Sequence, residues 1–336
     1  MIVRKSPTIR DVAAAAGVST ATVSKYINRQ QTFSTAVEAK LKSAIEELGY
    51  RQNPMARSMV TGKTGSIGLT VMDIGNPHYA NLVKGANRVA LAKDYNLLIV
   101  DLEENTASAR HLLEALLLRT DGLAVSGRIP QEATEWLAES GKPVVFFGRP
   151  AHEGVVSVDT DSHLAASMLA RYLVQQGYSR AAYAGFGQAA WNPARLKGLQ
   201  EVFDEAGGEL VEYDVGEPVV QAGERAAARI LLGQYRPEVV IGCNDLVAIG
   251  LMTQARALGL RIPEDVAIAG FDDIPPSRYV SPALTTVDMR GETTGEAVLA
   301  QVVAMIEGRE VPHDRLLEPL LVVRDSARRR NGDQGR

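Results

Sequence analysis

Thr8-Ile9-Arg10-Asp11-Val12-Ala13-Ala14-Ala15-Ala16-Gly17-Val18-Ser19-Thr20-Ala21-Thr22-Val23-Ser24-Lys25 holds two helix starts separated by a helix stop. Ile9, Val12, Ala13 and Ala16 recur at i, i+3, i+4 and i+7, which is one face of a helix. Thr8 precedes that face and Asp11 stands three residues on, the spacing of a capping box. Gly17 supplies the left-handed residue that ends a helix at low cost. Ser19 is placed to cap a second helix, with Val23 and Ile27 turned inward. A third helix is expected to open at Thr35, with Glu38 completing a second capping box. Val37, Leu41, Ala44, Ile45 and Leu48 are its apolar positions, and Gly49 stops it. The small residues Ala13 to Ala16 let the first two helices cross closely. Helix, glycine turn, short helix and third helix make a helix-turn-helix layout.

The second helix turns Thr20, Ala21, Thr22, Ser24 and Lys25 outward. Hydroxyls donate to phosphates, a lysine reaches guanine acceptors, and an alanine methyl touches a thymine methyl. That face suits a DNA major groove. The overall charge of −4 argues against a polyanionic partner, but the charge is segregated. Residues 1–63 carry ten Lys/Arg and four acids, a net +6, and the remainder carries −10. A small basic module on an acidic body confines nucleic-acid contact to the first part. A plain three-helix bundle with a polar surface is the competing reading, and the tight turn with the basic bias weighs against it.

With 336 residues the chain exceeds one ordinary core, and its 46% hydrophobic and 23% charged content is that of a globular protein. No apolar run approaches the roughly 18–20 residues of a membrane span. Met1 to Pro7 has no apolar signal-peptide region, and the lone Cys243 excludes an intrachain disulfide, so a cytoplasmic location is expected. From Ser66 onward, β-rich runs at 67–72, 97–102, 123–126 and 144–147 alternate with helical stretches near 77–94, 106–119 and 131–140. Further strands are expected near 155–158, 181–184, 210–215, 239–242 and 266–270. Such alternation predicts an α/β body of two parallel sheets covered by helices. Ligands in such folds lie beyond the C-terminal strand ends, so the loops leaving strands are the informative ones.

Several sharper motifs dissolve on inspection. Gly185-Phe186-Gly187-Gln188-Ala189-Ala190 imitates a dinucleotide fingerprint, but Trp191-Asn192-Pro193 intervenes before the next helix, so no nucleotide cofactor is expected. His78, His111, His152, His163 and His313 show neither i, i+4 pairing nor a cysteine cluster, which predicts no metal. Asp272 and Asp273 are adjacent on a loop and point apart, so they are a poor catalytic pair. Cys243 ends an apolar strand and packs as a small hydrophobe. No nucleophile stands with a base and an oxyanion site, so the chain is not read as an enzyme. Arg328-Arg329-Arg330 reads as a solvated tail, with no heptad beyond it.

Ile9-Arg10-Asp11-Val12-Ala13, Gly17-Val18-Ser19, Thr22-Val23-Ser24 and Ile45-Glu46-Glu47-Leu48-Gly49-Tyr50 closely resemble the head of the lactose/galactose repressor (LacI/GalR) family. The resemblance continues through Asn53-Pro54-Met55-Ala56-Arg57-Ser58-Met59 and the linker Thr61-Gly62-Lys63-Thr64-Gly65. In the family that stretch is a hinge helix that orders on operator DNA in the minor groove. About six residues are too few to be helical alone in water. Met59 stands where the family usually has a leucine wedge, and a methionine is long and apolar enough to serve. The resemblance implies DNA contacts by Thr8, Ser19, Thr20, Ala21, Thr22, Ser24, Lys25 and Asn28 in the head, and by Ala56, Arg57 and Met59 in the hinge.

The body resembles the family's periplasmic-binding-protein-like effector domain through Cys243-Asn244-Asp245, Gly270-Phe271-Asp272-Asp273 and Pro282-Ala283-Leu284-Thr285-Thr286-Val287. By position, Arg195, in an Arg-Leu-x-Gly pattern, aligns with a ligand-binding arginine, and Asn244 and Asp272 align with ligand contacts. Asp73, Asn76, Tyr79 and Asp159 are implied at the cleft. Pro218 replaces an aromatic that covers the sugar in several relatives, and Trp191 stands nearby. Asn, Asp and Arg satisfy the hydroxyls of a sugar. Arg128, Arg149 and Arg195 together point to an acidic ligand such as a sugar acid or phosphosugar.

The implied organisation is a head over 1–52, a hinge and linker over 53–65, an effector-binding and dimerisation domain over 66–327, and a tail over 328–336. Within the effector domain one half spans about 66–160 and 289–322, the other about 161–288. The expected function is a homodimeric regulator, a repressor by resemblance, that binds palindromic double-stranded operator DNA and answers to a small-molecule effector. A solute-binding protein would share the body, and an NAD(P)-dependent oxidoreductase would share the parallel sheets. Neither accounts for the basic head.

Overall fold

The computed structural model describes residues 7–28, 30–51, 62–106, 109–148 and 154–329. The chain forms two compact units, Met1–Gly65 and Ser66–Arg336. In the first, α1 (Ile9–Ala16), α2 (Thr20–Ile27) and α3 (Thr35–Leu48) enclose Val12, Ala13, Ala16, Val23, Leu41 and Ala44. The Asp11 carboxylate accepts from the Thr8 N–H at 2.7 Å and from its hydroxyl at 2.8 Å, which fixes the start of α1. Gly17 is left-handed (φ 66°), and the Val18 N–H returns to the Ala13 carbonyl at 3.0 Å. The Ser19 hydroxyl caps α2 by accepting from the Thr22 N–H at 3.1 Å.

The third helix departs from expectation by one residue. Ser34 is its N-cap and Thr35 its first helical residue, which puts Glu38 one position too late for a capping box. The Glu38 carboxylate accepts instead from the Phe33 N–H at 3.4 Å. Either residue of Ser34-Thr35 can cap, so the pair left the boundary open.

The second unit contains two six-stranded sheets. The first has the order β11-β5-β4-β3-β1-β2, built from β1 (Ser66–Val71), β2 (Asn96–Asp101), β3 (Gly122–Ser126), β4 (Val144–Phe147), β5 (Ser157–Thr160) and β11 (Asp314–Leu317). The second has the order β12-β10-β9-β8-β6-β7, built from β6 (Arg180–Gly185), β7 (Glu209–Asp214), β8 (Val239–Gly242), β9 (Ala267–Phe271), β10 (Thr285–Asp288) and β12 (Leu320–Val322). Strand pairing is parallel in both, except that β10 and β12 are antiparallel. β3, β4, β8 and β9 are buried at every residue, the signature of a parallel sheet covered on both faces.

Three strands were not anticipated: β10, β11 and β12. β12 joins the second sheet, so residues 320–322 lie on the other side of the division expected at 322. Arg329, expected in a solvated tail, is exposed yet anchored. Its guanidinium stacks 4.5 Å from the Tyr178 ring centroid and reaches Glu238 at 3.4 Å. Burial of that phenol pushes Tyr178 up to about 12.

Helices α4 (Pro77–Ala92), α5 (Ala109–Arg119), α6 (Gln131–Ala138) and α11 (Gly291–Ile306) accompany the first sheet, and α7 (Ser162–Gln175), α8 (Asn192–Glu205), α9 (Val220–Leu231) and α10 (Asp245–Ala257) the second. α4 and α11 cross at backbone contact. A Cβ on Gly85 would lie 1.9 Å from the Glu292 carbonyl oxygen, and one on Gly295 would lie 2.0 Å from that of Leu82. Beside the crossing, Arg88 pairs with Glu292 and Glu296. A Gly85→Ala substitution must therefore push the helices apart. It is expected to cost about 1–3 kcal/mol, as core overpacking does, read as a lowered urea midpoint at unchanged slope.

Candidate functional site

In the head, Thr20, Ala21 and Lys25 are exposed on α2, whereas Thr22, Ser24 and Asn28 are half-buried. The local fold already engages several of the implied contacts. The Thr8 hydroxyl donates to Asp11, Ser19 caps α2, and the Asn28 amide donates to the Ser24 hydroxyl at 3.4 Å. Lys25 reaches Gln31 at 3.4 Å across open surface. The exposed face of α2 thus presents one methyl, one hydroxyl and one cation. Ala56, Arg57 and Met59 lie outside the described residues, as does Arg149.

In the second unit, a cavity of about 110 Å³ opens where strands of both sheets end. Asn76, Tyr79, Arg128 and Asp159 line it from the first sheet's side, and Trp191, Arg195, Asn244 and Asp272 from the second's. These are eight of the ten positions expected there. Asp73 is not among the lining residues. Its carboxylate accepts from the Gly75 N–H at 2.7 Å and closes the turn that leads into α4. His78, Ser126 and Thr160, which the sequence places at strand exits, also line the cavity, as do Glu104, Phe147, Ser162, Met289 and Thr294, which it does not single out. Glu104 was within reach of the strand-exit rule, since it follows β2 closely. Met289 and Thr294 come from the segment after β10, for which the sequence carried no strand signal.

The fold has already claimed part of this polar lining. Asn76 caps α4 by accepting from the His78 N–H at 3.0 Å. Asn244 caps α10 by accepting from Val247 at 2.9 Å, and its amide donates to the Pro218 carbonyl at 2.8 Å. The Pro218 carbonyl is therefore a strut for Asn244. Arg128 donates to both oxygens of Glu104, at 2.9 and 2.5 Å, so it is not an unpaired cation awaiting an acidic ligand. Burial pushes the Tyr79 phenol up to about 12, against the pull of the neighbouring Arg128.

Arg195 differs. It is buried, its guanidinium lies 4.2 Å from the Trp191 ring centroid and 4.5 Å from that of Phe271, and one Nη donates to the Cys243 carbonyl at 2.5 Å. Its Nε–H is buried without a partner. Asp272 sits at φ 112°, a backbone region that L residues rarely occupy, with the His78 Nδ1 at 3.5 Å. Burial raises its carboxyl above the ordinary range, while His78 and Arg195 oppose that rise. Donors beside acceptors, with an indole face alongside, fit a small polyhydroxylated molecule. Cys243 packs at the base of the site, and burial pushes its thiol up to about 12. The fingerprint-like loop does not open a helix at Gly187. α8 starts at Asn192, whose side chain accepts from Phe186 N–H at 3.1 Å and from the Tyr183 hydroxyl at 2.8 Å. Among the described residues no group of three His, Cys, Asp or Glu side chains is arranged to hold a metal ion.

A three-helix head with an exposed second helix, joined in one chain to two parallel sheets flanking a polar cavity, defines a helix-turn-helix regulator with a periplasmic-binding-protein-like body. Residues 8–53 match the lacI family of bacterial regulatory proteins, and residues 170–327 match a periplasmic binding protein-like domain. The ribose operon repressor of Escherichia coli (strain K12) is 31% identical over 329 residues, 95% of this chain and 99% of its own length. The HTH-type transcriptional repressor PurR of Yersinia enterocolitica is 32% identical over 329 residues, 95% of this chain and 96% of its own. The chain belongs to the lacI family of bacterial regulatory proteins. A solved CelR–cellobiose complex is similar at TM-score 0.71 and 28% identity, covering 95% of this chain and 99% of that one. The Lac repressor dimer bound to operator and the anti-inducer ONPF shares the fold at TM-score 0.87 and 22% identity, covering 97% of this chain and 100% of that one.

Beneath the cavity, the buried Asp245 carboxylate accepts from Ser277 Oγ at 2.6 Å, Ile274 N–H at 3.0 Å and Thr286 Oγ1 at 2.5 Å. It thereby ties the loop after Asp272 to β10. Truncation in Asp245→Ala leaves three donors orphaned and should destabilise the domain by about 3 kcal/mol or more. Thermal and urea unfolding of the variant beside the wild type would check this.

Proposed function

We propose that the protein is a transcriptional repressor that binds a palindromic operator as a homodimer and is released from it, or recruited to it, by a small polyhydroxylated effector. The observation that carries this reading is the exposed Thr20, Ala21 and Lys25 face of a tightly turned α2, in the same chain as a cavity lined from both sheets. Thr20, Ala21 and Lys25 enter the major groove of each half-site, and the hinge residues Ala56, Arg57 and Met59 meet the minor groove between them. The repressor names of the ribose operon and PurR relatives support the sign of regulation, and the operator-bound Lac repressor dimer supports the assembly. The role is binding and not catalysis, and the site of action is the cytoplasm, where the operator is. Among the described residues no helix is long and apolar enough to cross a membrane.

The effector is a sugar, sugar acid or phosphosugar held by Arg195, Asp272, Asn76 and Asp159 against Trp191. Its control of DNA binding requires that it bind one arrangement of the two halves better than the other, because equal affinity shifts nothing.

Lys25→Ala should lose about 1–3 kcal/mol of discrimination between operator and non-operator duplex in gel-shift titrations at fixed salt. Unchanged preference would remove α2 from base reading. Arg195→Ala should bind operator as the wild type does but lose its response to effector. The effector itself can be found by a thermal-shift screen of sugars, sugar acids and sugar phosphates, since a ligand selective for the folded state raises the melting temperature.

A further inference from the structure

We propose that Glu104 sets the charge preference of the cleft. By occupying Arg128 it makes the site accept an uncharged polyhydroxylated ligand and reject the corresponding acid or phosphate. The inference rests on the cavity being the effector site, and it narrows the ligand class within that reading.

The value of a guanidinium to a carboxylate or phosphate lies in its two parallel N–H donors. In Arg128 both terminal nitrogens already donate to Glu104, at 2.9 and 2.5 Å. The two side chains are largely enclosed, 17% and 27% exposed. The guanidinium also lies 5.4 Å from the ring centroid of Phe186, which follows β6 in the other sheet, so the pair spans the cleft.

A ligand anion would have to displace Glu104, and the backbone holds that residue in place. The Glu104 N–H donates to the Met72 carbonyl at 2.6 Å, and the Asn105 N–H to that of Leu102 at 2.8 Å. The Glu103 N–H donates to the Asp101 carboxylate at 3.0 Å. Glu103 and Glu104 are both left-handed, at φ 49° and 55°. Non-glycine residues persist there when their surroundings over-determine them. The strained turn therefore aims the carboxylate into the cavity and keeps it there.

The remaining charge points the same way. Arg128 and Arg195 face three carboxyl groups in the described lining, those of Glu104, Asp159 and Asp272. A neutral polyol finds donors and acceptors without bringing an ion out of water. In the described lining an anion meets a surplus of carboxylates, and the end-on fork of Arg128's two terminal nitrogens is already filled, a repulsive element of the kind that creates specificity.

The test frees Arg128 while keeping the shape of the site. Wild type, Glu104→Gln and the double variant Glu104→Gln with Arg128→Ala are titrated with inorganic phosphate at constant ionic strength. Trp191 fluorescence and melting temperature are the readouts, and Glu104→Ala repeats the measurement should Glu104→Gln not fold. The wild type should show no saturable phosphate response. Glu104→Gln should gain about tenfold or more in phosphate affinity, and the double variant should lose that gain. In parallel, D-ribose, D-glucose and D-galactose are compared with their aldonates, and any preference of the wild type should be for the aldose. Absence of the phosphate gain, phosphate binding by the wild type that depends on Arg128, or a wild-type preference for an aldonate would each overturn the proposal. A wild type indifferent to every sugar, with the gain intact in Glu104→Gln, would instead count against the sugar reading and leave the role of Glu104 standing.

Discussion

Three passages of the chain between the two sheets are the constraint on which the cleft depends. The chain leaves the first sheet after β5, returns to it through α11 after β10, and goes back from β11 to β12 across Glu318 and Pro319. The Thr160 hydroxyl donates to the Met289 carbonyl at 2.9 Å, so the first two passages are bonded to each other. Both residues also line the cavity. Because the first two passages run beside the cavity, a change in how the halves meet involves residues that line it. That is the physical basis on which occupancy can bias a global arrangement.

Close helix packing supplies the stiffness this needs. Gly85 and Gly295 bring α4 and α11 to backbone contact, and Gly223 and Gly250 do the same for α9 and α10, where a Cβ would lie 2.2 and 2.0 Å from carbonyl oxygens. Helices that interlock in this way move as units. α4 carries His78 and Tyr79 at its start and α10 follows directly on Asn244, so both interlocked pairs carry groups that line the cavity.

The cleft holds fewer free polar groups than its lining implies. Asn76 and Asn244 cap helices, Arg128 is occupied by Glu104, and Asp73 closes a turn. Among the described residues, the buried Arg195 keeps an unpartnered Nε–H and Asp272 stands at strained backbone. Buried polar groups left unsatisfied by their own fold are costly, and a hydroxyl-rich ligand can supply the missing partners. The strain at Asp272 is held by Asp245 beneath it, whose three hydrogen bonds fix the loop.

Local physics made much of this legible in the sequence. The heptad-independent apolar face of α1, the left-handed Gly17 and the Ser19 cap are decided within a few residues, and they stand in the structure as read. Covered parallel strands such as Leu123 to Ser126 and Val239 to Gly242 announced themselves as continuous apolar runs. β10 did not, because Thr285 and Thr286 are polar in sequence yet fully buried, their hydroxyls satisfied by Arg324 and Asp245 far along the chain. β11 and β12 were too short and too exposed to carry a pattern. The same distinction governs the site. Residue types and strand exits named most of the cleft, since loops leaving parallel strands converge whatever their sequence. Asn76, Asn244 and Asp73 are engaged by neighbours two or three positions away, but the two arginines are held by partners 24 and 48 positions away, Arg128 by Glu104 and Arg195 by the Cys243 carbonyl, and no local pattern contains those pairings.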